Sequence, residues 1–158
     1  MTITSGNNFH NIESGLIELF KNISAELPPH VSQLDLVQPL SQDDGITVFL
    51  KPRNPSSASA WCHAWNNVGH IHFGFGEYSP AWELPGEGEN PNADQGEILR
   101  EVGEMCRAVI NGSCEHQRRL MGITARLKIQ GKNRSVTDLL IFWPSPPLWG
   151  TRKYAPWD

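Results

Sequence analysis

One segment of the chain, residues 120–130, alternates regularly between apolar and polar side chains. Successive side chains of a strand point to opposite faces, so this pattern predicts a strand with one buried and one solvated face. Strands of that kind are typical of antiparallel sheets covered on one side. The apolar set is Met121, Ile123, Ala125, Leu127 and Ile129, and the polar set is Thr124, Arg126, Lys128 and Gln130.

Two other segments repeat apolar residues at steps of three and four, which predicts amphipathic helices. The first helix is expected at about residues 8–26, before Pro28 and Pro29, and the second at about 95–110, capped by Asp94. Short strands are predicted at 33–37, 46–51, 60–65, 69–76, 120–130 and 135–143.

Together these elements predict an α+β fold for a single domain over residues 1–158. One mainly antiparallel sheet of about five to six strands would carry both helices on one face, in the order α-β-β-β-β-α-β-β. The Pro- and Trp-rich C-terminal segment, residues 144–158, is expected to be irregular.

The charge, the hydropathy and the cysteine content limit the expected partners and the expected location of the protein. A net charge of -4 and a pI near 5.8 argue against nucleic acid as a partner, because non-specific binding to it needs a basic field. No membrane association is expected, since no apolar run approaches the roughly 18 residues of a membrane span. The N-terminus lacks the pattern of a secretory signal, and the three cysteines form no CxxC pair. A cytoplasmic protein with reduced thiols is therefore expected.

Imidazole and apolar side chains alternate between residues 69 and 76. His70 and His72 share one side of the predicted strand, and Ile71 and Phe73 share the other. The apolar pair predicts the core side, so the two histidines are expected on the solvated face.

This strand and the preceding one form a predicted hairpin whose register has two alternatives. A two-residue loop at 66–67 would place His63 opposite His70, and a four-residue loop over 66–69 would place it opposite His72. Either even-length loop puts the same five aromatic side chains on the face away from the core. They are Trp61, His63, Trp65, His70 and His72.

The predicted face allows two functional interpretations. His63, His70 and His72 could bind Zn²⁺ or a similar ion, with Glu77 or Glu83 as an added carboxylate. The second interpretation is a binding surface, because Trp is enriched at interface hot spots and is rarely left exposed. The predicted aromatic face would then be covered either by the 144–158 segment or by another molecule.

The segment between residues 77 and 97 is acidic throughout and contains no Lys or Arg. Its predicted loop is longer than the usual 4–6 residues or so, which favours a functional role. An acidic surface of this kind would steer a basic partner toward the protein. The candidate binding residues here are Glu77, Glu83, Glu87 and Glu89.

A basic stretch follows in the strand pair after the second helix, and it is expected to be no more than the solvated face of that pair. Its cations are Arg118, Arg119, Arg126, Lys128, Lys132 and Arg134.

No nucleophile motif, phosphate-binding loop or dinucleotide fingerprint is present in the sequence. No cofactor is therefore expected, and the alternative to this expectation is Zn²⁺ or a similar ion bound by the histidines.

Many bacterial toxin-immunity proteins share this size, acidity and fold class. The leading prediction is a non-enzymatic protein-binding module, of the immunity type, that neutralises a basic toxin or nuclease domain. The alternative is a small metal-dependent enzyme or small-ligand binder that uses the histidine face.

Overall fold

The computed structural model of the chain describes residues 6–37, 45–65, 71–76, 80–84, 94–119, 122–139 and 150–158. It confirms the α+β class, with two helices and antiparallel sheets. The elements are α1 (Gly6–Glu26), β1 (Ser32–Val37), β2 (Ile46–Pro52), β3 (Ala60–Ala64), β4 (Ile71–Phe75), β5 (Trp82–Leu84), α2 (Gln95–Ile110), β6 (Cys114–Arg119), β7 (Gly122–Ile129), β8 (Lys132–Leu139) and β9 (Gly150–Lys153).

Both predicted helices are present, and each buries the apolar stripe that predicted it. In α1 the stripe is Ile12, Leu16, Phe20 and Ile23. The Asp94 side chain caps α2 by accepting a hydrogen bond from the backbone N–H of Gly96 at 2.8 Å. Gly112, which follows the helix, has a φ of 68°, a conformation that glycine adopts without strain.

The strands form two antiparallel sheets, whereas the sequence predicted one. Sheet A has the order β1-β2-β3-β4-β5 and sheet B the order β8-β7-β6-β9. Sheet B is separate because β7 and β8 pair with β6 and β9 rather than with the strands of sheet A. Three of the nine described strands were not marked by apolar alternation. β5 is three residues long, and β6 and β9 are largely polar. Backbone pairing with neighbouring strands, rather than a side-chain pattern, therefore defines them.

The helices join the two sheets around one cluster of buried side chains. α1 packs against β1, β2 and β3, while α2 contacts both β3 of sheet A and β7 of sheet B. The prediction that both helices cover one face of one sheet is therefore wrong in detail, because α2 bridges two sheets. None of the helices in the described ranges is long and apolar enough to cross a membrane.

The last described segment, residues 150–158, contains one regular element, β9, within the stretch expected to be irregular, and residues 154–158 form no helix or strand. β9 pairs with β6, and Trp157 is only 8% exposed. The indole N–H of Trp157 donates to the carbonyl of Ala58 at 3.0 Å, and its backbone N–H donates to the carbonyl of Ile110 at 2.9 Å. The Ser57 hydroxyl donates to the carbonyl of Pro156 at 2.9 Å. The chain end thus docks beside the C-terminus of α2.

Candidate functional site

The β3–β4 pairing selects between the two hairpin registers. His63 lies directly opposite His72, which is the register expected for a four-residue loop. Ile71 and Phe73 are buried, while His63 and His72 are half-buried on the other side of the sheet. The alternation of the sequence therefore gave the correct face for both strands.

Strand pairing extends this histidine pair into a row across sheet A. Thr47 of β2 lies opposite His63, and Glu83 of β5 lies opposite His72. Directly opposed residues of an antiparallel pair project from the same face. The Thr47 hydroxyl and His63 Nδ1 are 2.6 Å apart and share a hydrogen bond, which fixes the orientation of the imidazole.

Trp65 stands at the end of β3 beside the two imidazoles. Its ring centroid is 4.3 Å from that of His63 and 6.3 Å from that of His72, with edge-on geometry in both cases. At 38% exposure it is a large apolar side chain accessible to solvent. The three rings form one aromatic cluster, in which Trp65 is exposed and the two imidazoles are half-buried.

A second row lies beside the first and contains Trp61. Trp61 is opposite Gly74 on one side and Phe49 on the other. A Cβ atom added to Gly74 would lie 2.2 Å from Cζ2 of Trp61, so the indole lies directly over this glycine. The glycine therefore allows the ring to rest on the sheet.

Phe49 continues the second row toward a charged corner. The Lys51 ammonium lies 5.4 Å from the centroid of the Phe49 ring and 2.7 Å from Oδ2 of Asp35. Hydrogen bonds from Lys51 and Gln33 lower the pKa of Asp35, so this carboxylate stays ionised. We call the surface formed by both rows and Trp65 the outer face of sheet A.

The structure therefore brings together five of the nine residues predicted to bind, which are Trp61, His63, Trp65, His72 and Glu83. The other four, His70, Glu77, Glu87 and Glu89, lie outside the described residues. Sequence reasoning missed Thr47 and Phe49, although β2 alternates between buried and half-buried positions. The period of two that was used for β3 and β4, applied also to β2, would have placed Thr47 and Phe49 on this face.

The metal hypothesis remains a prediction. It requires His70 together with His63 and His72, and His70 is not among the described residues. Within the part of the chain that the structure describes, no group of three or more His, Cys, Asp or Glu side chains is arranged to hold an ion.

The cysteines do not provide a nucleophile. All three are buried and free of disulfides. Burial raises the pKa of the Cys106 and Cys114 thiols to about 12, and burial also raises the pKa of Cys62. Because the thiolate is the reactive form, these side chains are unreactive at neutral pH in the folded protein.

His116 is a further histidine, and it is buried between the two sheets. Its ring stacks on Phe75 with centroids 4.5 Å apart, and its Nδ1 shares a 2.7 Å hydrogen bond with the Tyr154 hydroxyl. Burial, together with the nearby charge of Arg152, lowers the pKa of His116 to about 4. The residue is therefore neutral at physiological pH and has a structural role in the core.

Comparison of the chain with known proteins finds no matching family model, no curated protein of similar sequence and no similar solved structure.

Proposed function

We propose that the protein is a non-enzymatic protein-binding domain that holds its partner against the outer face of sheet A. The observation that carries this proposal is the aromatic cluster in which the exposed Trp65 lies beside the half-buried His63 and His72. Aromatic residues at the centre of an interface contribute large contact areas at low entropic cost. On a sheet, whose backbone is fixed by pairing on both sides, such a cluster is already organised for binding.

The chemistry of this face favours a basic partner. Aromatic rings attract Arg and Lys side chains through cation–π contacts, and carboxylates pair with the same groups. Glu83 lies in the row of the two histidines, and the sequence adds Glu77, Glu87 and Glu89 in the segments that flank β5. We further propose an immunity-type role, in which the partner is a basic toxin or nuclease domain.

The alternative is a small metal-dependent enzyme or small-ligand binder built on the same face. It is favoured by one observation, the direct opposition of His63 and His72 across β3 and β4. Titration with Zn²⁺ of protein that carries no histidine tag distinguishes the two. Stoichiometric binding that is lost in His63→Ala and His72→Ala would favour the alternative.

The protein-binding proposal is tested with a short poly-arginine peptide as the probe, and a poly-glutamate peptide of equal length serves as its control. We expect saturable binding of the basic peptide only, weakened about thirtyfold or more by Trp65→Ala, since truncation of a hot-spot Trp costs about 2 kcal/mol or more. Calorimetry and the backbone NMR shifts of β3 and β4 provide the measurements.

Leu36→Ala is the matched control, because Leu36 is also a large exposed apolar residue at 45% but pairs in register with buried Val48 rather than with the outer face. Equal loss of binding in Leu36→Ala and Trp65→Ala would contradict the proposal, as would binding of both peptides with the same affinity.

A further inference from the structure

The charges of this acidic protein are divided between its two sheets. Sheet B contains eight Lys or Arg and two Asp or Glu in its described strands and turn, which gives a net charge of +6. The whole chain has 13 basic and 17 acidic residues. All residues outside these segments therefore hold five basic and fifteen acidic side chains, a net charge of -10. The net charge of -4 conceals a strongly basic region.

The basic side chains of sheet B do not all point the same way. Arg134 lies in register with buried Leu127 and forms an ion pair with Glu101 of α2, so it faces the helix. Lys132 belongs to the same face by register, since its partner is Ile129. Arg126 and Lys128 alternate with Leu127 and point away from the core. The expectation that the predicted basic set forms one solvated face is therefore only partly correct.

Two adjacent rows on the outer face of sheet B line a groove of about 620 Å³. The register places one row across β9, β6, β7 and β8. The second row lies beside it, where the backbone N–H of Lys128 donates to the carbonyl of Ser113 at 2.9 Å. The first row is Lys153, Glu115, Arg126 and Ser135, and the second is Ser113, Lys128 and Asn133.

The groove combines three cations with three neutral hydrogen-bonding side chains. Glu115 is the one carboxylate among the described residues of the lining. It is 3.4 Å from Nη1 of Arg126 and lies opposite Lys153 in the register. The Glu115–Arg126 ion pair orients the guanidinium and leaves Lys128 and Lys153 as exposed donors. A surplus of positive charge with hydroxyl and amide groups at its edges is suited to an oxyanion.

We propose that this groove binds a compact polyanionic ligand whose charged groups are phosphates or carboxylates. The volume falls within the range of about 300–1,000 Å³ that is typical of small-molecule sites. None of the described residues that line the groove is aromatic, whereas surfaces for single-stranded nucleic acid combine cations with aromatic stacking platforms. The site is separate from the outer face of sheet A, and the proposal does not depend on the partner proposed there.

The test is calorimetric titration with inorganic pyrophosphate, with citrate as the carboxylate arm and a short DNA duplex as the macromolecular arm. We expect saturable binding of pyrophosphate or citrate that weakens as salt is raised. The arm that binds more tightly identifies the anion. Lys128→Gln with Lys153→Gln should weaken binding about tenfold or more, because each substitution removes a charge-assisted hydrogen bond.

Arg119→Gln with Lys132→Gln is the matched control. It removes two exposed charges from the same sheet, at positions that do not line the groove. We expect this control, and Trp65→Ala on sheet A, to bind the anion with unchanged affinity. Equal weakening by both double variants, absence of saturable binding, or preferential binding of the duplex would overturn the proposal.

Discussion

Gly74→Ala tests how the outer face of sheet A is built. In β4 the new methyl group would lie 2.2 Å from Cζ2 and 2.4 Å from Cε2 of Trp61. Real Cβ atoms do not approach that closely, so the Trp61 indole must leave its position on the sheet. Overpacking of this kind costs about 1–3 kcal/mol, and we expect Gly74→Ala to lower the free energy of unfolding by that amount.

The double variant isolates the cause. The backbone of Gly74 does not have a positive φ, and glycine inside a strand is less stable than alanine by about 0.5–1 kcal/mol. In a Trp61→Ala background, Gly74→Ala should therefore be neutral or stabilising. The coupling energy between the two sites should then be about 2 kcal/mol, a value typical of residues in contact.

Urea unfolding of the four proteins measures this cycle, with equal m-values as the check that only stability has changed. A coupling energy near zero, with Gly74→Ala equally destabilising in both backgrounds, would refute the assignment of Trp61 to the surface over Gly74. The position of Trp61 in the candidate site would then be wrong as well.

Two further predictions concern the junction between the sheets. Because the pKa of His116 is lowered to about 4 in the folded protein, against about 6.5 when unfolded, the unfolded state gains the proton first on acidification. Protonation of the unfolded state therefore lowers the free energy of unfolding as pH falls from about 6.5 to about 4, by at most about 3.4 kcal/mol for a difference of about 2.5 pKa units. A pH series of urea unfolding should show a loss of stability that is smaller by this amount in His116→Gln. Trp157→Ala should lower the free energy of unfolding by about 3–5 kcal/mol, because it removes a buried ring and its hydrogen bond to Ala58, and a urea midpoint close to that of the wild type would contradict docking of the chain end.

Local periodicity made part of this structure predictable. The apolar stripes of α1 and α2 and the alternation in β3, β4 and β7 are properties of short segments, and they identified element type and buried face correctly. Any even-length loop between the two strands places His63 and His72 together on the solvated side. Loops of two and of four residues both meet this condition. The pairing of β3 with β4 in space selected one of them.

Local patterns in the sequence thus specify the two helices, the antiparallel class and the side of the sheet on which the aromatic residues lie. The division into two sheets depends instead on long-range pairing, since β6 and β9 carry polar residues and are joined by hydrogen bonds across more than thirty positions. The fold also makes His116 neutral, because its burial depends on Tyr154, 38 residues away. The two rows of the sheet B groove also depend on pairing between segments that are distant in the sequence. They combine side chains from four strands, and no local pattern encodes which strands become neighbours.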